Sequence, residues 1–231
     1  HAEQSNHWYT HNFTSEDTWY WDRIQNTTQR AYGVNLNALA TQPFTAILRG
    51  EMAARASNAY YNPDHHTKLF FNSPTNMVED AFWDGISRRR FEISLPSAQL
   101  VEGANTLYLS LYFDAYIGQL SDWVYFDWFE IDYQRRFVAE NDQLTYSREE
   151  SGSRWQYQIE NITSPGMLIL DTTNPLAPAW ITNAQLRGSA WAFEAGHSGT
   201  ASYLVTGVNA VRAPKDIAYY QPPNLLSPTN Q

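Results

Sequence analysis

Apolar and polar residues alternate in several segments of this chain of 231 residues. In residues 106–113, three leucines and a phenylalanine occupy every second position, with threonine, tyrosine and serine between them. A period of two places neighbouring side chains on opposite faces of a β-strand, whereas a helix needs a period near 3.6. Residues 44–52, 90–95 and 124–133 repeat this alternation, and residues 68–72 form a short apolar run. The pattern therefore predicts an all-β protein.

The spacing of these segments predicts two domains. Strands of six to ten residues between turn signals are typical of an antiparallel sandwich, which we place, as a jelly roll, at residues 1–138. After the polar stretch 141–143 the predicted strands become shorter, which indicates a smaller β-sandwich-like domain over residues 139–212. Four prolines follow, so residues 213–231 are predicted to be a linker toward a downstream domain.

Composition excludes several classes of partner. Lys and Arg number 15 against 24 Asp and Glu, which gives a formal net charge of -9 and argues against nucleic acid. No run of about 18 apolar residues occurs, so no membrane span is predicted. Few basic residues among many Asn, Gln, Ser and Thr are typical of extracellular proteins. We therefore expect a secreted or cell-surface protein.

Catalytic signatures are absent from the sequence, and we expect no enzyme activity in this chain. It has no cysteine, and none of its six histidines stands in a triad or nucleophile-elbow context. His65 and His66 are adjacent, and neighbours on a strand face opposite ways, so we expect a surface loop there and no metal site. The carboxylates of Asp127, Glu130 and Asp132 are expected to serve solubility on exposed strands.

The nine tryptophans are the best candidates for a binding site. Trp83-Asp84-Gly85 lies in a predicted loop, and such an indole could stack on a sugar ring while the carboxylate binds hydroxyls. Trp83, Asp84 and Trp123 are therefore the candidate binding residues. The alternative is that the tryptophans pack into the sandwich, where large aromatics dominate the core.

No cofactor is expected, although a structural Ca²⁺ could bind carboxylates predicted to lie in loops. Those carboxylates belong to Asp80, Asp84 and Asp114. Their spacing matches no diagnostic calcium loop, so the sequence leaves this alternative open.

Three motifs carry a resemblance to a known family. They are the W-D-G loop at residues 83–85, L-x-E-G-x-N-x-L at residues 100–107 and D-W-x-E-I-x-Y at residues 127–133. Together they resemble the β-sandwich region ahead of the catalytic domain in gingipain-like cysteine peptidases (peptidase family C25), which include the sortase of the type IX secretion system. The turn at residues 170–178 and the proline-rich tail are similar to the same region. The pattern is also typical of galactose-binding-like jelly rolls.

The resemblance implies an accessory function. A region of this kind would pack against a downstream peptidase domain of the same polypeptide, or present a protein or glycan substrate to it. No catalytic residue of the family can be assigned here, because the nucleophilic cysteine has no counterpart. Two alternatives stay open: a carbohydrate-binding module and an adhesion or assembly domain.

Overall fold

The structure is a computed structural model that describes residues 1–8, 19–25, 29–55, 57, 62–112, 122–215 and 218–219. In these ranges the chain forms eighteen β-strands and two 3-10 turns, and every pair of strands is antiparallel. The predicted all-β sandwich fold is confirmed. The chain divides into two compact units, residues 1–136 (unit 1) and residues 137–231 (unit 2).

Unit 1 contains the first eleven strands. They are β1 (Ala2–Glu3), β2 (His7–Trp8), β3 (Trp19–Tyr20), β4 (Asp22–Gln25), β5 (Gln29–Leu36), β6 (Thr45–Ala54), β7 (His65–Phe71), β8 (Met77–Trp83), β9 (Arg88–Pro96), β10 (Gly103–Tyr112) and β11 (Trp123–Asp132). A 3-10 turn at Ser97–Gln99 follows β9 directly.

Two sheets form the sandwich of unit 1. The first has the strand order β1-β11-β6-β9, with β4 also paired to β11, and the second has the order β5-β10-β7-β8. Leu48 and Phe126 of the first sheet and Leu69 and Leu107 of the second belong to one fully buried core cluster. Each such side chain contributes about 1.5–3 kcal/mol when it leaves water. The apolar faces of β6, β7, β10 and β11 therefore pack into one core.

Unit 2 contains seven strands and a second core. They are β12 (Gln143–Ser151), β13 (Trp155–Ile159), β14 (Met167–Asp171), β15 (Ala179–Ile181), β16 (Gln185–Arg187), β17 (Ala190–Ala195) and β18 (Ser198–Gly207), followed by a 3-10 turn at Val208–Ala210. One sheet has the order β12-β18-β14-β15 and the other β13-β17-β16. Tyr157, Ile169, Phe193, Tyr203 and Val205 are buried together in this unit.

Three positional predictions for unit 1 are wrong. Trp83 was expected in a loop, but it is the last residue of β8. Asp80 was expected in a loop, but it lies within β8. His65 was expected in a surface loop, but it begins β7 and is buried. In the described part of the chain there is also no helix long and apolar enough to cross a membrane.

Candidate functional site

A buried histidine lies at one end of the unit 1 sandwich. His65, at the start of β7, has a side chain with 0% exposure. Its Nδ1 lies 2.8 Å from Oδ1 of Asp122, just before β11, and its Nε2 lies 3.1 Å from the carbonyl oxygen of Gly85, just after β8. Three separate segments of the chain therefore meet at one imidazole ring.

The contacts of His65 indicate that its ring is a cation. Both ring nitrogens face oxygen acceptors, an arrangement that favours the doubly protonated ring because it can donate a hydrogen bond from each nitrogen. Burial alone would lower the pKa of His65. The hydrogen bond to Asp122 and the negative charges of Asp122 and Asp64 outweigh this effect and raise the pKa above its ordinary value of 6.5. With both nitrogens engaged and no exposed ring atom, this histidine holds the loops in place and is not available as a general base.

Asp64 and Gly85 complete this buried cluster. Oδ1 of Asp64 lies 3.0 Å from Nε2 of His65 and accepts a 2.9 Å hydrogen bond from the backbone N–H of Gly85. Gly85 has φ of 73°, a left-handed conformation that glycine adopts without steric cost. This turn directs both the N–H and the carbonyl of Gly85 toward the Asp64–His65 pair.

The three sequence-predicted binding residues surround this cluster. Trp83 is half-buried and packs on His65, with ring centroids 4.5 Å apart. Asp84 is exposed and accepts a 3.1 Å hydrogen bond from Nδ2 of Asn62. The backbone N–H of Trp123 donates to Oδ1 of Asp122 over 2.6 Å. The structure brings Trp83, Asp84 and Trp123 to one end of the sandwich, and their role in binding stays a prediction.

The indole of Trp123 is held between neighbouring strands. The guanidinium of Arg23, on β4, lies 4.4 Å from its ring centroid, and that of Arg55, just after β6, lies 5.3 Å away. These two strands flank β11 on opposite sides. A cation over an aromatic face is attracted by the negative potential of the ring. These contacts fix the half-buried Trp123 ring against its neighbours.

The sequence carried a signal for the buried histidine. His65, Thr67, Leu69 and Phe71 recur at every second position of β7, and all four are buried. The residues between them face the other way. The period of two therefore places His65 on the core side of the sheet. The expectation of a surface loop came from the polar character of two adjacent histidines, which outweighed this period.

The tryptophans do not fill the cores as the packing interpretation expects. All nine lie in the described ranges, and none is fully buried. Trp21 and Trp83 pack against the core of unit 1, and Trp191 packs against that of unit 2. The four exposed indoles belong to Trp8, Trp19, Trp155 and Trp180.

The carboxylates considered for calcium do not form a site in the part of the chain described. Asp80 accepts hydrogen bonds from His66 and Lys68, while Asp84 bonds to Asn62. No group of three or more His, Asp or Glu within those residues is placed to hold a metal ion. Asp114 lies outside the described residues, so a calcium site that includes it stays a prediction.

The strand carboxylates of β11 differ in exposure. The side chain of Asp132 is exposed and pairs with Arg49, and Glu130 lies 3.9 Å from the same guanidinium. Asp127, however, is buried, so its predicted role as a solubilising surface charge is wrong. The register of β11 shifts between Phe126 and Trp128, and this β-bulge re-aims the side chain at position 127.

Unit 2 has an apolar groove on the outer face of one sheet. Leu170 on β14 is directly opposite Trp180 on β15 and Leu204 on β18, and Leu168 precedes Leu170 by two residues on the same face. These four side chains line a groove of about 230 Å³. Val211, just after the 3-10 turn at Val208–Ala210, lines it as well. Contiguous exposed apolar surface is typical of contact sites, so this groove is suited to an apolar partner.

Unit 2 also has a buried carboxylate. Glu150, at 6% exposure, accepts hydrogen bonds from the hydroxyls of Tyr157 and Tyr203 and from the backbone N–H of His197. Burial tends to raise the pKa of Glu150, but these three donors lower it below its usual range. The carboxylate is satisfied on both oxygens, and it links β12, β13 and β18.

No protein-family model matches the chain, and no curated protein matches it. Among solved structures it is similar to the crystal structure of dimeric latent PorU from Porphyromonas gingivalis, with a TM-score of 0.61 and 13% sequence identity. The match covers 85% of this chain, more than either unit alone, and 19% of the PorU chain. At this identity the likeness is one of fold, and this chain spans about a fifth of that longer protein.

Proposed function

We propose that this chain is a non-catalytic accessory region of a larger secreted protein with a gingipain-like cysteine peptidase domain. In this function the chain packs against the downstream domain of the same polypeptide. The observation that carries the proposal is the fold likeness to PorU, which reaches into both units and accounts for only 19% of that protein. A protein of that length has enough residues outside the matched region to form a separate catalytic domain.

Two features of this chain support the proposal. It has no cysteine, so a cysteine nucleophile would have to come from another part of the polypeptide. His65 is buried and engaged through both ring nitrogens, so it offers no free base to a substrate. The chemistry of such a protein would therefore lie outside residues 1–231.

The groove of unit 2 is the surface that this function would use. Trp180 is 62% exposed, and its leucine neighbours on β14 and β18 form an apolar strip beside it. Val211 lines the same groove, so a polypeptide that continues past it starts next to this strip. A domain tethered there has a high effective concentration, which favours even a small apolar contact.

The test uses the complete parent protein. Its reading frame is read past Gln231, and the downstream segment is produced separately from residues 1–231. Calorimetric titration of one with the other is expected to show association. Trp180→Ala is expected to weaken this association at least tenfold, because large aromatic anchors dominate the energy of such contacts.

The matched control is Trp155→Ala, which removes another exposed indole of unit 2 from β13, in the other sheet. This variant should bind like the unsubstituted chain. A reading frame that ends at Gln231, or that encodes no domain with a cysteine and a histidine, overturns the proposal. So does a downstream segment that fails to bind. Equal effects of the two substitutions would exclude the groove as the contact surface.

A further inference from the structure

Three aromatic rings form a row across the outer face of the second sheet of unit 1. His66 on β7 is directly opposite Phe82 on β8 and Tyr112 on β10. The ring of Phe82 stacks on that of His66, with centroids 3.9 Å apart and planes 18° apart, and Tyr112 lies 5.4 Å from His66. Phe82 and Tyr112 are 57% and 42% exposed. Because His66 covers one face of Phe82, the exposed area of Phe82 belongs to its other face and its edge.

A charged pair lies beside this aromatic row. Two residues further along the same strands, Lys68 on β7 is opposite Asp80 on β8. Asp80 accepts hydrogen bonds from Nζ of Lys68 over 3.0 Å and from Nε2 of His66 over 2.6 Å. The ammonium of Lys68 also lies 4.5 Å from the ring centroid of Tyr112. The pair offers hydrogen-bond donors and acceptors next to exposed rings, while its opposite charges cancel.

A second apolar row bounds the charged pair on its other side. Phe70 on β7 is opposite Met77 on β8 and Tyr108 on β10. The two rows are four residues apart along β7, or about 13 Å at the usual rise of a strand. On β5, Ala31 is opposite Tyr108, and a Cβ added at the nearby Gly33 would meet nothing within 4 Å. Small residues therefore leave the face open next to Tyr108.

We propose that this face of unit 1 binds a neutral glycan chain of pyranose sugars. A pyranose ring has an apolar face of C–H groups that packs flat on an aromatic ring, and the burial of both surfaces is favourable. Its hydroxyls at the ring edge both donate and accept hydrogen bonds. The carboxylate of Asp80 and the ammonium of Lys68 supply these complementary groups between the two apolar rows.

The size of the face favours a glycan over a protein partner. Three strands span about 10 Å between their outer axes, and the rows are about 13 Å apart, so the footprint is on the order of 150 Å². A stable protein interface needs roughly 800 Å² on each partner, which is several times more. Two or three sugar rings fit this footprint.

The charge of the face favours a neutral ligand. Lys68 and Asp80 carry one opposite charge each and pair with each other, so this pair adds no net positive charge that would attract sulfate, phosphate or carboxylate groups. The whole chain also has a formal net charge of -9, which repels polyanions. Acidic glycans and nucleic acids are therefore poor ligands for this face.

The test is native gel electrophoresis of the complete chain through gels that contain one soluble polysaccharide each: mannan, xyloglucan, a β-1,3-glucan, galactan or the polyanion dextran sulfate. At least one neutral polysaccharide is expected to retard the chain. Phe82→Ala and Tyr112→Ala should each raise the dissociation constant at least tenfold. Phe82→Tyr, which keeps the ring, should bind like the unsubstituted chain. Trp180→Ala, which removes an exposed indole from unit 2, should also bind normally.

Three outcomes overturn this proposal: no neutral polysaccharide retards the chain, Phe82→Ala binds as before, or dextran sulfate binds best. Self-association that is lost in Phe82→Ala would instead assign the face to a second copy of the chain, and it also overturns the proposal. Circular dichroism of each variant shows whether it is folded. The measurement uses residues 1–231 alone, so its result is independent of any downstream domain.

Discussion

Replacement of His65 by leucine tests whether the buried cluster of unit 1 is held by a cation. His65→Leu keeps an apolar side chain of similar volume against Trp83 but removes both hydrogen-bond donors. The carboxylate of Asp122, whose side chain is 0% exposed, then loses its imidazolium partner. Breaking a buried ion pair by removing one partner costs about 3–5 kcal/mol. We expect the free energy of unfolding of unit 1 to fall by that amount near pH 6.

The loss should depend on pH in one direction. In the unfolded chain the pKa of His65 is near 6.5, and in the folded protein it is raised. The cation therefore contributes its full stability below about pH 6.5, and this contribution is lost as the pH rises through the folded-state pKa. The difference between the unsubstituted chain and His65→Leu should be largest near pH 6 and should shrink toward pH 9.

Urea unfolding of the complete chain, followed by tryptophan fluorescence, measures the change, and hydrogen exchange with mass spectrometry assigns it to unit 1. The neighbouring His66→Leu is the matched control. Its partner Asp80 is 35% exposed, and such partly solvated pairs contribute about 1 kcal/mol or less. Equal losses in the two variants, or a His65→Leu loss that is unchanged between pH 6 and pH 9, would refute the reasoning.

Other substitutions test the packing of both units. Glu150→Gln should lower the stability of unit 2 by about 1–3 kcal/mol, because the charged acceptor for Tyr157 is lost. The pKa of Glu150 is lowered in the folded protein, so its contribution to stability is present above about pH 4.5 and is lost as the pH falls. The melting temperatures at pH 7 and pH 4 should therefore differ less in Glu150→Gln than in the unsubstituted chain. Gly50→Ala should destabilise unit 1 by about 1–3 kcal/mol in urea unfolding, because its Cβ would lie 2.3 Å from a ring atom of Phe91. Gly33→Ala, in open space on β5, is the control and should leave the urea midpoint within experimental error or raise it.

The strands predicted best are those with one buried face. The shorter strands predicted after residues 141–143 are present, among them β13 (Trp155–Ile159) and β14 (Met167–Asp171). The sequence also predicts β10 and β11 to within a few residues at each end. In these strands the apolar residues of one face pack into a core, and burial imposes the alternation that the sequence shows. Fold class follows from this pattern without knowledge of the tertiary structure.

The strands and contacts that were missed have weak local signals. In β8 (Met77–Trp83) acidic and apolar residues are mixed, and this edge strand has no fully buried residue that would impose a clear alternation. The meeting of His65, Asp122 and Gly85 joins positions that are 20 and 57 residues apart, and no local pattern specifies it. The shared location of Trp83 and Trp123 depends on the same long-range pairing. The sequence alone therefore identifies Trp83 and Trp123 as candidate binding residues, but it does not identify the buried His65 near them.

The burial of His65 against Trp83 changes where on unit 1 a ligand should be sought. The W-D-G loop suggested Trp83 as a platform for a sugar, but one side of this indole is occupied by His65 and the ring packs against the core. His65, on which this indole packs, hydrogen-bonds to Asp122 and Gly85 and so joins three chain segments. Phe82, its neighbour in β8, points to the opposite face of the sheet, because adjacent residues of a strand alternate. The same strand thus packs one aromatic ring against the core and exposes the next one, which is the ring that a pyranose could reach.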